Sequence, residues 1–244
     1  MRAAILPGDA DEAAAIEEIR AHPMMEGLDL ATGVSTTKPY VVNATGEARF
    51  HVVSYDFGVK CHSPKLLAEL GCKVTVVPAA TSAAEIDALE PDGLFVSNGP
   101  GDPAAVDRAT EAILNLSGRG VPVFGICLGH QLISRAFGAS TYKLPFGHHG
   151  ANHPVRNLER DIVEITSQNH GFAVRSGGDG SIPGAPDLEL THVNLYDGTS
   201  EGLRHRSRPV FSVQYHPEAA PGPHDSRYLF DDFLLLMESA TSNG

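Results

Sequence analysis

Between Phe50 and Gly138 short apolar runs alternate with segments that carry helix start and stop signals, and this alternation restricts the possible folds more than any other feature of the chain. Residues 50–55, 73–77, 93–97 and 121–126 have the length and the β-branched and aromatic content of buried strands. Helix candidates lie between them. Ser63-Pro64 opens one, with Pro at its first position, and Gly71 closes it. Ser82 with Glu85 forms a capping box that opens a second, reaching Leu89. Residues 104–116 read as a third. Such an order builds βαβ units and a mostly parallel sheet, whose ligand sites lie at the carboxyl ends of the strands. After Gly138 the pattern changes. Val155 and residues 162–166, 188–195 and 210–213 read as short strands with few helices between them, an antiparallel extension of the sheet. Residues 177–186 are rich in Gly and Pro and read as a mobile surface loop. Asp225 or Ser226 is expected to cap a last amphipathic helix over 228–237, and residues 241–244 to fray.

Residues 1–48 stand apart. Asp9 with Glu12 reads as the start of a helix reaching Ala21, ended by Pro23, and residues 33–47 are polar and linker-like. A piece with one short helix has too little apolar surface to form a core alone, so it must pack on the rest or be the remnant of a larger unit.

Two of the expected strand ends carry chemistry. Gly125 and Gly129 flank Cys127 where the strand gives way to a helix over 128–137, stopped by Gly138. A strand-to-helix elbow lifts one side chain clear of the sheet, and a helix N-terminus favours a thiolate there. A lone cysteine at such a place is more often a buried structural residue. Here Gln214-Tyr215-His216-Pro217-Glu218 follows the strand at 210–213. In an extended segment residues two apart project to one side, so His216 and Glu218 face the same way, and Pro217 stiffens the link. A carboxylate beside an imidazole fixes its tautomer and supports its protonated form. Cysteine, histidine and glutamate together are the outfit of an activated nucleophile with its base and orienting acid.

Other classes are disfavoured. The net charge of −12 argues against binding a phosphate backbone, so no nucleic-acid partner is expected. No run of apolar residues is long enough for a membrane span, and the first six residues are too short for a signal peptide. Three cysteines, an odd number, fit a reducing cytoplasm rather than a disulfide framework, and Cys61 and Cys72 are expected to be buried or idle. The glycine-rich loop at 98–103 lacks the Gly-Lys-Ser/Thr ending of a phosphate-binding loop, so no nucleotide site is expected. His148, His149 and His153 have no standard metal-ligand spacing and no acid beside them; hydrogen bonding in a loop is expected, and no metal.

Gly125-Ile126-Cys127-Leu128-Gly129-His130-Gln131 with His216-Pro217-Glu218 resembles the class I (triad) glutamine amidotransferases. Four further stretches are similar to the small-subunit family of the carbamoyl-phosphate synthetases: Ser97-Asn98-Gly99-Pro100-Gly101-Asp102-Pro103, Phe146-Gly147-His148-His149-Gly150-Ala151-Asn152-His153-Pro154, Gln168-Asn169-His170-Gly171-Phe172-Ala173-Val174 and Pro221-Gly222-Pro223-His224-Asp225. The resemblance runs from about residue 50 to 237 and implies an α/β, flavodoxin-like, mostly parallel sheet flanked by helices, with an antiparallel extension in the C-terminal half. It implies residues 1–48 as the remnant of an N-terminal domain plus linker, and 49–240 as the amidotransferase domain. It also implies roles. Cys127 would attack the glutamine amide, His216 would move its proton, and Glu218 would hold His216. The N–H groups of Gly101 and Leu128 would form the oxyanion hole, and Gly99, Gln131, Asn169, Gly171 and Phe172 would contact L-glutamine. A glutamyl thioester would form and hydrolyse, and the ammonia would pass to a large synthetase subunit. That partner uses ATP and bicarbonate, in pyrimidine and arginine synthesis, and this chain would need no cofactor. Two alternatives are an amidotransferase serving another acceptor and a truncated, non-catalytic docking subunit.

The chain departs from the family pattern in two places. Cys61-His62-Ser63 follows Asp56-Phe57-Gly58-Val59-Lys60 where an Asn is common, and only the end of the N-terminal domain precedes the linker. With that domain gone, one wall of the glutamine pocket is expected to be missing, with weaker substrate positioning and poorer docking to the partner.

Overall fold

The computed structural model describes residues 3–106, 108–220 and 222–242. Among them are ten strands: β1 (Tyr40–Val42), β2 (Phe50–Asp56), β3 (Cys72–Pro78), β4 (Gly93–Val96), β5 (Val123–Ile126), β6 (Thr141–Asn157), β7 (Ile162–Val174), β8 (Leu188–Asn194), β9 (Ser200–His205) and β10 (Val210–Val213). The helices are α1 (Glu12–Ala21), α2 (Ala31–Val34), α3 (His62–Glu69), α4 (Ala83–Asp87), α5 (Thr110–Gly118), α6 (Leu128–Ala136) and α7 (Tyr228–Ser242). All ten strands join one sheet in the order β1-β3-β2-β4-β5-β10-β9-β8-β6-β7. β3, β2, β4, β5 and β10 run parallel. β10 is antiparallel to β9, and β8, β6 and β7 continue in the antiparallel sense. β10 therefore joins the two halves.

Both faces of the parallel half are covered, which explains its continuous apolar runs. Val53, Tyr55, Leu94, Val96 and Val123 pack against α4, α5 and α6 through Ile86, Ile113, Leu116 and Leu132. Val52, Val74, Val76, Phe95, Phe124 and Ile126 face α3 and α7 through Leu66, Leu67, Phe230, Phe233 and Met237. The parallel strands and the α/β class are as expected.

Several local expectations need correction. Asp11, not Asp9, caps α1: its Oδ1 accepts from the N–H groups of Ala13 and Ala14. The linker-like stretch contains β1, which pairs with β3 at the sheet edge. Cys61 sits at the N-cap of α3, so Pro64 is third in the helix and not first. The helix expected over 104–116 splits into a 3₁₀ turn at Pro103–Ala105 and α5. The strands expected at 188–195 and 210–213 are β8 and β10, but those expected at Val155 and 162–166 belong to a long hairpin of 17 and 13 residues, β6 and β7, and β9 had no recognised signal. The loop at 177–186 buries Ile182 and Ala185 in a third apolar cluster with Leu188 and Leu203. Asp225 and Ser226 turn away from α7: Asp225 accepts from Ile165 N–H, and Ser226 donates to the buried Glu164. α7 runs on to Ser242 where fraying was expected; Asn243, Gly244 and Pro221 of the Pro-Gly-Pro-His-Asp motif lie outside the described residues.

Candidate active site

Cys127 lies between β5 and α6 with φ 55° and ψ −103°. A positive φ outside glycine costs on the order of 1–3 kcal/mol and persists only where the surroundings hold it. The surroundings here are close. A Cβ on Gly129 would stand 2.0 Å from the Val96 carbonyl oxygen, and one on Gly125 would stand 2.5 Å from Ile133 Cδ1. Only glycines let the first turn of α6 settle this near β4 and β5. The Cys127 N–H donates to Val213 O at 2.9 Å, tying the elbow to the end of β10.

That bond brings His216 within reach. Val213 pairs with Ile126, so the segments leaving β5 and β10 start side by side. His216 Nδ1 lies 2.8 Å from Glu218 Oε1, the contact expected from the sequence. Its cause differs: His216 O accepts from Ala219 N–H, so a turn rather than an extended strand brings the pair together. A third group was missed. Lys60 Nζ lies 3.0 Å from Glu218 Oε1. Asp56 Oδ1 accepts from the N–H groups of Gly58 and Val59, and the resulting turn carries Lys60 to the site. The Asp-Phe-Gly-Val-Lys stretch was the available signal.

Electrostatics follow from these contacts. Burial opposes protonation of His216, but the adjoining Cys127 and Glu218 outweigh it and hold the imidazole up, to about 9. Burial likewise opposes ionisation of Glu218, and His216 and Lys60 outweigh it, holding the carboxyl down at about 2. With Nδ1–H donated to Glu218, Nε2 is left for the thiol. His130, in the same motif as Cys127, is buried at Ser212 and pushed by burial to about 3, so it is a neutral structural residue. Cys61 is exposed, whereas burial pushes the Cys72 thiol up to about 12.

Cys127 and His216 open into a cavity of about 770 Å³. Gly99, Gly101, Gln131, Asn169, Gly171 and Phe172 line it too, and Lys60 stands at its edge. The Leu128 side chain is buried, so only its backbone N–H, next to the thiol, is suited to the oxyanion. Gly99 has no room for a side chain, since a Cβ would lie 2.1 Å from Phe57 O. Gln131 Nε2 donates to Phe172 O and Gln214 Oε1, which leaves Oε1 to meet a ligand.

The head takes part in the cavity. His22, Met24, Met25, Leu28 and Leu30 line the cavity. Gly27 N–H donates to Asp102 Oδ2 and Asp102 N–H to Leu28 O. Gly101, at φ +103°, is pressed against Leu28 and Leu30. The histidine-rich stretch also differs from a simple loop. It lies within β6, where His149 Nδ1 meets Asn169 Oδ1, while His148 meets His170 of β7, Asp197, and Glu201 of β9. Nitrogen and oxygen atoms of His148, His170 and Glu201 come within 4.8 Å of one another.

The chain matches the class-I glutamine amidotransferase family over residues 53–236, and it belongs to that family. Within it, the chain is 58% identical over 240 residues to the carbamoyl phosphate synthase small chain of Chlorobaculum tepidum, covering 98% of this chain and 64% of that one. It is 54% identical to the small chain of Rubrivivax gelatinosus (95% and 62% covered) and 47% identical to that of Escherichia coli K12 (96% and 64%). The chain thus spans a little under two thirds of the length of these curated relatives. Among solved structures, a Thermoplasma acidophilum protein ascribed to GMP synthase shares the fold, with TM-score 0.64, 22% identity, and 80% of this chain and 95% of that one covered.

Proposed function

We propose that this chain hydrolyses L-glutamine at Cys127 and delivers ammonia to the large subunit of a carbamoyl phosphate synthase. The observation that carries the reading is a thiol held at positive φ at the end of β5, facing a buried His216–Glu218 pair at the end of the neighbouring β10. The small-chain names of the relatives supply the acceptor.

The geometry supports the following reaction. The Cys127 thiolate attacks the carboxamide carbon of glutamine. The oxygen that gains charge is met by the N–H groups of Leu128 and Gly101. His216, as an imidazolium, gives its Nε2 proton to the departing ammonia as the C–N bond breaks, leaving a glutamyl thioester. Neutral His216 then takes a proton from water, which attacks the thioester carbon; glutamate leaves and the thiolate re-forms. Gln131, Asn169, Gly171 and Phe172 position the substrate. These steps need no cofactor; ATP and bicarbonate belong to the large subunit. Residues 1–48 act here as linker and pocket wall beside an amidotransferase domain at 49–240. Among the described residues no helix is long and apolar enough to cross a membrane, and the three free cysteines suit a reducing cytoplasm. The test is glutamate release by the purified chain, then carbamoyl phosphate formation once the large chain of a relative is supplied. Ammonia should replace glutamine in the second assay. Synthesis of carbamoyl phosphate by the isolated chain would refute the division of labour.

A further inference from the structure

Behind the glutamine-facing residues runs a chain of side chains that the reaction does not use. Asp197 Oδ2 lies 2.9 Å from His148 Nε2. His148 Nδ1 lies 3.1 Å from His170 Nε2, and His170 Nδ1 lies 2.8 Å from Phe172 O. The chain begins and ends on an acceptor, so each of its three contacts needs a proton. Two neutral imidazoles bring only one N–H each. Whichever tautomers are chosen, one contact is left with two lone pairs face to face, so the chain is one proton short.

The surroundings show where that proton belongs. Glu201 Oε1 lies 3.3 Å from His148 Nδ1 and 4.0 Å from His170 Nε2, and its side chain is fully buried. Among the described residues these histidines are its only ion-pair partners. A buried carboxylate without a positive partner is costly. His148 is the histidine with carboxylates on both sides. Asn194 Nδ2 donates to Glu201 Oε1 at 2.9 Å and stands 3.4 Å from His148 Nδ1. The Glu201 oxygen at the middle of the group therefore already receives an N–H, which disfavours an ion at the centre.

We propose that His148 holds this extra proton as a buried imidazolium between Asp197 and Glu201, and is thereby a positioning residue of the glutamine pocket. It does so through His170. With His148 donating to His170 Nε2, the His170 proton must sit on Nδ1, where it fixes the Phe172 carbonyl. The same carbonyl accepts from Gln131 Nε2 at 2.8 Å. One oxygen thus locks the 169–172 segment to α6, and its orientation depends on a proton held two side chains away. The titratable groups facing His148 are Asp197, Glu201 of β9, His170 of β7 and His153 of β6, whose ring centre lies 5.2 Å away. The Glu201 carboxylate works against burial and, with Asp197, raises the His148 pKa, whereas burial lowers His170 to about 4. A group raised above its ordinary 6.5 stabilises the fold fully below that value and loses this as pH rises through the higher one. The pocket should loosen on the alkaline side.

The role in positioning rests on glutamine being the substrate, whereas the proton count does not, and the test separates them. Long-range ¹H–¹⁵N spectra of the intact chain near neutral pH should show His148 as imidazolium and His170 as the neutral Nδ1–H tautomer. Both rings neutral, or His148 signals that change on chelator treatment and return with zinc, would overturn the proposal. For the kinetic arm, Glu201→Gln should release the proton from His148, raise KM for glutamine about tenfold, and change kcat less than about threefold. It should also remove the alkaline rise in KM. A folded Glu201→Gln protein with unchanged KM would overturn the positioning role. If the unaltered chain released no glutamate, the glutaminase reading would fall while the spectra still decided the proton chain.

Discussion

Cys127, His216, Glu218 and Lys60 lie together at one site, linked by the contacts of His216 and Lys60 with Glu218 and by the pull of Cys127 on His216. Cys127→Ser should abolish glutamate release, by about three orders of magnitude or more, with the fold unchanged by circular dichroism. An alkylating glutamine analogue should label Cys127 before exposed Cys61 or buried Cys72; equal labelling would remove the case for an activated thiol. If, as proposed, His216 holds a proton for the leaving ammonia, kcat/KM should fall as pH rises through about 9, the value at which its environment holds it. The same sign applies to stability: the raised His216 contributes fully below 6.5 and loses its contribution through about 9. Glu218→Gln should cost less than Cys127→Ser, because in the proposed reaction Glu218 orients but transfers no proton. Lys60→Met should lower kcat by only about threefold to tenfold, since Lys60 is 44% exposed and water screens much of its pull on Glu218. An alkaline limb unmoved in Lys60→Met but shifted in Glu218→Gln would assign the tuning of His216 to Glu218 and not to Lys60.

At the scale of elements, the site depends on how closely the loops after β2, β4 and β5 stack. Gly129→Ala drives a methyl to 2.0 Å from Val96 O, and Gly99→Ala to 2.1 Å from Phe57 O. Neither obstacle is a flexible side-chain tip. Each should destabilise by about 1–3 kcal/mol or more, read as a lower Tm, and Gly129→Ala should also reduce Cys127 labelling. These loops and the parallel strands were legible in the sequence because buried strands between capped helices leave a strong local pattern. The β6–β7 hairpin was not. His148, His149, Gly150, Asn152 and Pro154 resemble a loop, and the pairing slips between Lys143 and His148 and between Gly150 and His153, which spoils any two-residue alternation. The His216–Glu218 contact was legible as a pair, but its turn was not, because the bond that closes it is backbone to backbone. His148 with Glu201 and the wall built by residues 22–30 depend on groups far apart in the chain, and local spacing carries no trace of them.

Across the whole molecule, the segment before β1 is held to the site by few bonds. α1 buries none of its residues, whereas Gly27 and Leu28 clasp Asp102 beside Gly101. Asp102→Ala should free this wall: limited proteolysis around residues 22–30 should speed up, and KM for glutamine should rise several-fold while Cys127 remains labelable. An unchanged KM with faster proteolysis would show that the wall does not position substrate. The place of β10 has a different kind of consequence. It is the last strand in the chain, yet it lies mid-sheet between β5 and β9 and leads directly to His216. A chain emerging from the ribosome can assemble β1 to β5 and display Cys127 at an open sheet edge well before its base exists. The thiol thus gains its His216 partner only when the sheet closes around β10. Reaction of Cys127 with a substrate-shaped probe should therefore serve as a count of fully closed molecules, rising in step with native structure during refolding and not before.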